Sequence, residues 1–214
     1  NAIDLYVISL TDAVATKLNS RPLNSVIGSG FAWLNDSTIL YKAAANAGKT
    51  APVASFTPAG PVIHENIGKV AAARTYQDLI KTPHDESLFD FYAKTQLVRL
   101  DIKTGKEEFI GSEAIYRSFS ISPDQQYILT ATIQRPFSYL VPFNGFPTSY
   151  QVIDLKGQLV KKIADIPSTE GAPIGFDDVI EQPRFISWRD DQPSTIFYVQ
   201  ALDKGLGRKP AEFR

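Results

Sequence analysis

The chain has 214 residues, 43% hydrophobic and 21% charged, with 22 Lys and Arg against 23 Asp and Glu for a net charge of −1. That balance excludes the clustered basic excess of a nucleic-acid-binding surface. The lack of cysteine excludes disulfides and thiolate metal sites. No apolar run approaches the roughly 18 residues of a membrane-spanning helix. No basic-then-apolar leader is visible, and a chain without methionine that opens on Asn1-Ala2 is expected to begin elsewhere than at a translation start.

In chain order, residues 4–9 read as a strand that pairs with residues 14–18. A first pattern then appears: apolar strand, polar turn with aspartate, apolar strand. It reads Phe31-Ala-Trp-Leu-Asn-Asp36 followed by Ile39-Leu-Tyr41. It returns as Phe119-Ser-Ile-Ser-Pro-Asp124 with Tyr127-Ile-Leu129, and as Ile186-Ser-Trp-Arg-Asp-Asp191 with Ile196-Phe-Tyr-Val199. A second pattern is a strand ending in aspartate, a glycine turn and another strand. It reads Leu97-Val-Arg-Leu-Asp-Ile-Lys-Thr-Gly105 to Ile110, and Tyr150-Gln-Val-Ile-Asp-Leu-Lys-Gly157 to Ile163. Alternating, the two patterns spell four-stranded antiparallel units. The predicted fold is therefore all-β: a partial β-propeller of about three blades, incomplete at both ends, with a short helical insertion.

As one domain over 1–214, the expected divisions are the end of a preceding blade (3–20), a blade at 31–113, a blade at 114–167 and the start of a third at 183–203. The first full blade carries an insertion at 44–95, far longer than the usual connection of about 4–6 residues. Its first part, 44–61, is rich in Ala, Gly and Pro and reads as a loop. In 74–92 the spacing of Tyr76, Leu79 and Ile80, then a break at Pro83, then Leu88, Phe89, Phe91 and Tyr92, predicts a helical hairpin. The second blade carries an aromatic, proline-rich excursion at 135–147. The polar tail from 204 onward reads as poorly ordered.

Certain stretches are more distinctive than the strands. They are Ala73-Arg-Thr-Tyr-Gln-Asp-Leu-Ile-Lys-Thr-Pro-His-Asp-Glu-Ser-Leu-Phe-Asp90, Arg135-Pro-Phe-Ser-Tyr-Leu-Val-Pro142, and Pro173-Ile-Gly-Phe-Asp177 with Pro183-Arg-Phe-Ile-Ser-Trp-Arg189. Through them the chain resembles the prolyl oligopeptidase family, and within it the glutamyl-peptidase branch. That resemblance implies a serine peptidase whose propeller caps an α/β-hydrolase domain. The family's nucleophile sits in a G-x-S-x-G elbow. Neither Gly28-Ser-Gly30 nor Gly111-Ser112 has that spacing, so no catalytic residue is assigned here. The resemblance is compatible with a parent exported to the bacterial periplasm.

The implied partners are the hydrolase domain of the same parent chain and a peptide substrate; nucleic acid and membrane are not expected. Unpaired strand edges of an open blade stack predict pairing with a second copy. No cofactor is called for. The two histidines, His64 and His84, are read as structural, and His84-Asp85-Glu86 is adjacency rather than a metal site, so no metal is expected. Asp177-Asp178 reads as a solvated loop. Asp36, Asp124 and Asp191, like Asp101 and Asp154, are expected to bond their own turns, and Trp33 and Trp188 to pack in the core. Arg74 and Arg135 are candidates for binding a substrate carboxylate, because a guanidinium fork takes both oxygens; the competing reading is an internal salt bridge. Phe137, Tyr139, Phe143 and Phe146 are candidates for the contact with the hydrolase domain. A stand-alone binding scaffold is the alternative function.

Overall fold

The computed structural model describes residues 3–54, 76–77, 79–172 and 178–207. Strands dominate: β1 (Tyr6–Ile8), β2 (Ala15–Lys17), β3 (Phe31–Asn35), β4 (Thr38–Ala44), β5 (Thr95–Asp101), β6 (Glu107–Ile121), β7 (Tyr127–Ile133), β8 (Thr148–Asp154), β9 (Leu159–Ile166), β10 (Arg184–Trp188) and β11 (Ile196–Val199). Among the described residues one α-helix, α1 (Pro83–Ala93), interrupts them between β4 and β5. Strands β3 to β9 form one curled antiparallel sheet in sequence order, flanked by the separate hairpins β1–β2 and β10–β11. The fold is all-β, consistent with a partial propeller.

The curl is made at β6. From Glu107 to Ala114 this strand pairs with β5, and from Ile115 to Ile121 it pairs with β7. Within the β5–β6 ladder the register shifts between Ile110 and Ala114, and there Gly111 sits at a φ of 64°, where a side chain is disfavoured. Two four-stranded units, β3 to β6 and β6 to β9, thus share one bent strand.

Strand β4 shows why the units stack. Its Ile-Leu-Tyr-Lys-Ala run is buried on both faces, as a strand between two packed layers must be. Ile39, Tyr41 and Ala43 pack on Leu5, Leu23, Val98 and Leu100, toward the β1–β2 hairpin. Leu40 faces the other way, into Leu34, Leu97, Ile110, Tyr116, Ile128 and Ile153, between the two units. Beyond β7 a third layer joins Leu129, Val152 and Trp188, with Ile186 and Ile196 against them. Each fully buried Leu or Ile contributes about 1.5–3 kcal/mol relative to exposure.

The turns follow their aspartates in part. Asp101 Oδ1 accepts from the N–H of Lys103 and Thr104 at 3.0 and 2.8 Å, and the Thr104 bonds hold its carboxyl below the usual range. Asp154 Oδ1 accepts from Lys156 and Gln158, each at 2.8 Å. Asp124 accepts from the Gln126 N–H and the Ser122 hydroxyl. The β3–β4 turn differs: Asn35 rather than Asp36 accepts from the Ser37 N–H, at 3.0 Å. Asp191 is gripped chiefly by the Arg189 guanidinium, at 2.9 and 2.5 Å, which lowers its pKa.

Three further expectations change. Trp188 is buried and donates to the Ser120 carbonyl at 3.2 Å, but Trp33 is half exposed. On the short β3 it is Leu34 that turns inward, and strand alternation then sends Trp33 out. Among the described residues, 74–92 holds one helix rather than a hairpin, and Tyr76, Leu79 and Ile80 lie outside it. Pro83 opens α1 instead of breaking it, because its missing N–H costs nothing in the first turn. Thr82 and Asp85 close a capping box there: the Asp85 N–H donates to Thr82 Oγ1, and Asp85 Oδ2 accepts from the Thr82 N–H at 2.9 Å. His64, Arg74, Asp177 and the segment 208–214 lie outside the described residues.

Candidate functional site

The two excursions meet at one end of the sheet. Helix α1 and the 135–147 loop are joined by an apolar cluster of Ala93, Ile115, Ile133, Phe137, Val141 and Phe146, with Ile80 and Phe89 at its margin. Phe137 and Phe146 stack with ring centroids 5.4 Å apart, and Phe89 meets both edge-on at 4.9 and 5.6 Å. These rings face inward. Of the four candidate contact aromatics, Phe137 and Phe146 are therefore spent on the chain's own interior, while Phe143 is exposed and Tyr139 half-buried.

Arg135 lies over this joint. Its guanidinium sits 4.4 Å from the Phe137 ring centroid, 2.7 Å from Glu86 Oε2 and 3.8 Å from Asp90 Oδ2. Asp90 also faces Lys94 at 3.4 Å. Burial and the Glu86 carboxylate push the Tyr139 hydroxyl up. Arg135 keeps about half of its side chain exposed, so its helix ion pairs are worth about 0.2–1 kcal/mol each. Beside it a cleft of about 530 Å³ is lined by Tyr76, Gln77, Leu79, Lys81 and Tyr139. The site can thus present one half-exposed guanidinium, an acidic helix and a phenol at the rim of an open cleft.

His84 sits partly exposed in the first turn of α1, and the Lys81 N–H, which donates to Asp85 at 3.0 Å, is the main cause that holds the Asp85 carboxyl below the usual range. Asp178 Oδ1 accepts from the Gly207 N–H at 2.9 Å. Among the described residues, no three His, Cys, Asp or Glu side chains converge on a cation-sized site.

One group escaped the sequence reading: Lys42, only 1% exposed. Its ammonium donates to the carbonyls of Ile27 and, at 3.4 Å, Tyr116, tying the 24–30 strap to β6 where the two units meet. A lone lysine in the apolar run of β4 was the available signal. Burial pushes its pKa from 10.5 down to about 8. A pKa lowered by folding means that the unfolded chain binds more protons between those values, so stability rises with pH there. Tyr41 and Tyr116 are both pushed up by burial, Tyr116 to about 12, so they withdraw stability only above pH 10. Unfolding free energy should therefore rise by about 2 kcal/mol from pH 7.5 to 9.5, and Lys42→Met should flatten that rise in urea titrations.

No family model matches the chain. Two curated relatives are similar to it. It is 34% identical over 205 residues to a protein of Oryza sativa subsp. japonica named "Probable glutamyl endopeptidase, chloroplastic", an alignment covering 94% of this chain and 22% of the relative. It is 36% identical over 197 residues to a protein of the same name from Arabidopsis thaliana, covering 90% of this chain and 20% of that protein. The chain spans about a fifth of the length of these relatives. It is therefore related, over nearly all its own length, to part of proteins named as peptidases.

Proposed function

We propose that this chain is a non-catalytic propeller segment of a glutamyl-preferring serine peptidase of the prolyl oligopeptidase type. In this reading it gates and selects peptides for an α/β-hydrolase domain carried elsewhere in the parent. The observation that carries the reading is the reach of the likeness. An alignment over 94% of the chain has to run through both excursions as well as the strands. Strands alone recur in many unrelated functions.

The stacked units would act by sterics, admitting extended peptides and turning away folded chains. The excursion end would face the cleft. Arg135 is half exposed there, and a substrate carboxylate can compete with Glu86 for its fork. Phe143 and Leu140, exposed on the same loop, would meet the hydrolase domain, where buried aromatic anchors are favoured.

The test is the activity of the full-length parent on chromogenic peptides that differ only in Glu or Ala before the scissile bond. Arg74→Ala and Arg135→Ala are assayed alongside. If either arginine reads the carboxylate, kcat/KM for the Glu peptide falls about 10- to 100-fold while the Ala peptide is unaffected, the loss expected of one charge-assisted hydrogen bond. Equal activity of both variants on both peptides returns the arginines to a scaffolding role. A parent inactive on every peptide overturns the peptidase reading in favour of a binding scaffold.

A further inference from the structure

Most arginines among the described residues are answered inside the chain. Arg99 faces Glu108, Arg135 faces Glu86 and Asp90, and Arg189 faces Asp191. Arg21 lies over the Phe109 ring, 4.8 Å from its centroid. Arg117 and Arg184 differ: among the described residues, neither has a carboxylate within ion-pair reach. Arg117 is half-buried; its Nη1 donates to the Asn144 carbonyl at 3.0 Å, and its other side-chain N–H groups reach no described acceptor. The Arg184 Nε is buried without a hydrogen-bond partner. Guanidinium groups stay charged and buried donors are normally met, so both side chains keep donors to give.

The fold sends these two to one end of the molecule. Strand β10 runs beside the second half of β6: Trp188 Nε1 donates to the Ser120 carbonyl at 3.2 Å, and further along the Asp124 N–H donates to the Pro193 carbonyl at 2.9 Å. The turns that follow the two strands therefore meet, and both strand heads point to the opposite end. Arg117 is near the head of that half of β6, and Arg184 opens β10. The 135–147 loop covers the same end, since Asn144 takes its bond from Arg117 and the Gly145 carbonyl accepts from Thr169 Oγ1 at 3.4 Å on the way to β10.

We infer that Arg117, with Arg184 at the head of the neighbouring strand, takes the side-chain carboxylate of a glutamyl peptide. The inference rests on the peptidase reading of the parent and names the specificity residue within it. A carboxylate that reaches Arg135 must displace Glu86 from 2.7 Å and is repelled by Asp90 as well. One that reaches Arg117 displaces no acid. It also leaves the Asn144 bond in place, because the guanidinium fork has donors to spare. A planar fork free on one side suits a carboxylate, and such a charge-assisted bond is about twice as strong as a neutral one. The loop that holds Arg117 through Asn144 thus positions the fork while its outer residues, Leu140 and Phe143, stay exposed.

The test uses the full-length parent on peptides with Glu, Gln or Ala before the scissile bond, all amidated at the C-terminus so that the side chain is the carboxylate that differs. Arg117→Gln should lower kcat/KM for the Glu peptide about 10- to 100-fold and leave the Gln and Ala peptides within about 2-fold. Arg117→Lys, which keeps the charge and loses the fork, should fall between wild type and Arg117→Gln. Arg184→Gln should cost about 3- to 10-fold on the Glu peptide alone. An equal loss on all three peptides would overturn the inference, since it marks an arginine that holds the loop or meets a carboxylate of another part of the parent. A Glu-specific loss that follows Arg135→Ala and spares Arg117→Gln would overturn it too, while the peptidase reading stands. A parent that cleaves none of the peptides removes that reading, and the inference with it.

Discussion

Replacing Gly157 by alanine is expected to cost about 2–5 kcal/mol of unfolding free energy, against about 1–2 kcal/mol for Gly105→Ala. Both glycines occupy left-handed backbone in equivalent hairpin turns, at φ 81° and 70°. A side chain at either position pays the same conformational penalty. Their surroundings differ. A Cβ on Gly105 meets nothing within 4 Å, whereas one on Gly157 would lie 2.0 Å from the Gly111 nitrogen and 2.4 Å from its Cα. The obstacle is backbone, at the bend of β6 where the two units join, so no rotamer change can relieve it. Urea midpoints for the two variants decide the matter. Equal losses would mean that the seam yields easily and that the turn alone sets the cost. The excess at Gly157 measures how rigidly the units are held together. A loss near 5 kcal/mol would consume much of the about 5–15 kcal/mol on which a folded domain rests.

The second large effect is expected at Phe137. Phe137→Ala should cost about 3–5 kcal/mol, the range for emptying an aromatic site in a packed core. The ring is 5% exposed, stacks on Phe146 and receives the edge of Phe89 from α1. It also carries the Arg135 guanidinium on its face. Its removal should therefore loosen the hold of the loop on the helix, and some helical circular dichroism should go with it. For a chain of this size the melting temperature should fall by about 10 °C. A loss below about 1 kcal/mol would instead mark a ring that the isolated chain does not need and that serves a docking surface. Arg135→Ala in the same background should cost under about 1 kcal/mol, since its ion pairs are half exposed. The contrast separates the apolar joint from the charge above it.

Strand content was readable because its causes are local. Apolar runs ending in Asp101 or Asp154, with a left-handed glycine soon after, dictate hairpins by backbone chemistry alone. The paired patterns also announced which strand follows which. Other expectations failed where neighbours in space decide. Trp33 and Trp188 occupy the same place in the repeat, and composition treats them alike. Only the layer beyond β7 gives Trp188 a surface to pack on, while Trp33 turns away from the core filled by Leu34. The turn acceptor at Asn35 rather than Asp36 is a choice between neighbours that differ little in chemistry.

The candidate site was legible as a set of unusual residues and not as an arrangement. Arg135, the loop aromatics and the acidic helix could be picked out because prolines, aromatics and charges crowd segments that interrupt the repeat. That Glu86 and Arg135, 49 positions apart, form an ion pair is set by the sheet, which brings the β4–β5 and β7–β8 connections to one end. The sequence by itself determined the all-β character, the order of the hairpins and the two-part repeat, because these follow from alternation and turn chemistry within a few residues. Only the tertiary structure decided which aromatics are interior, that Lys42 is buried against the Ile27 and Tyr116 carbonyls, and that Gly157 touches Gly111. Burial is a property of layers packed about 10 Å apart, and which side chains fill that space depends on chain segments remote in sequence.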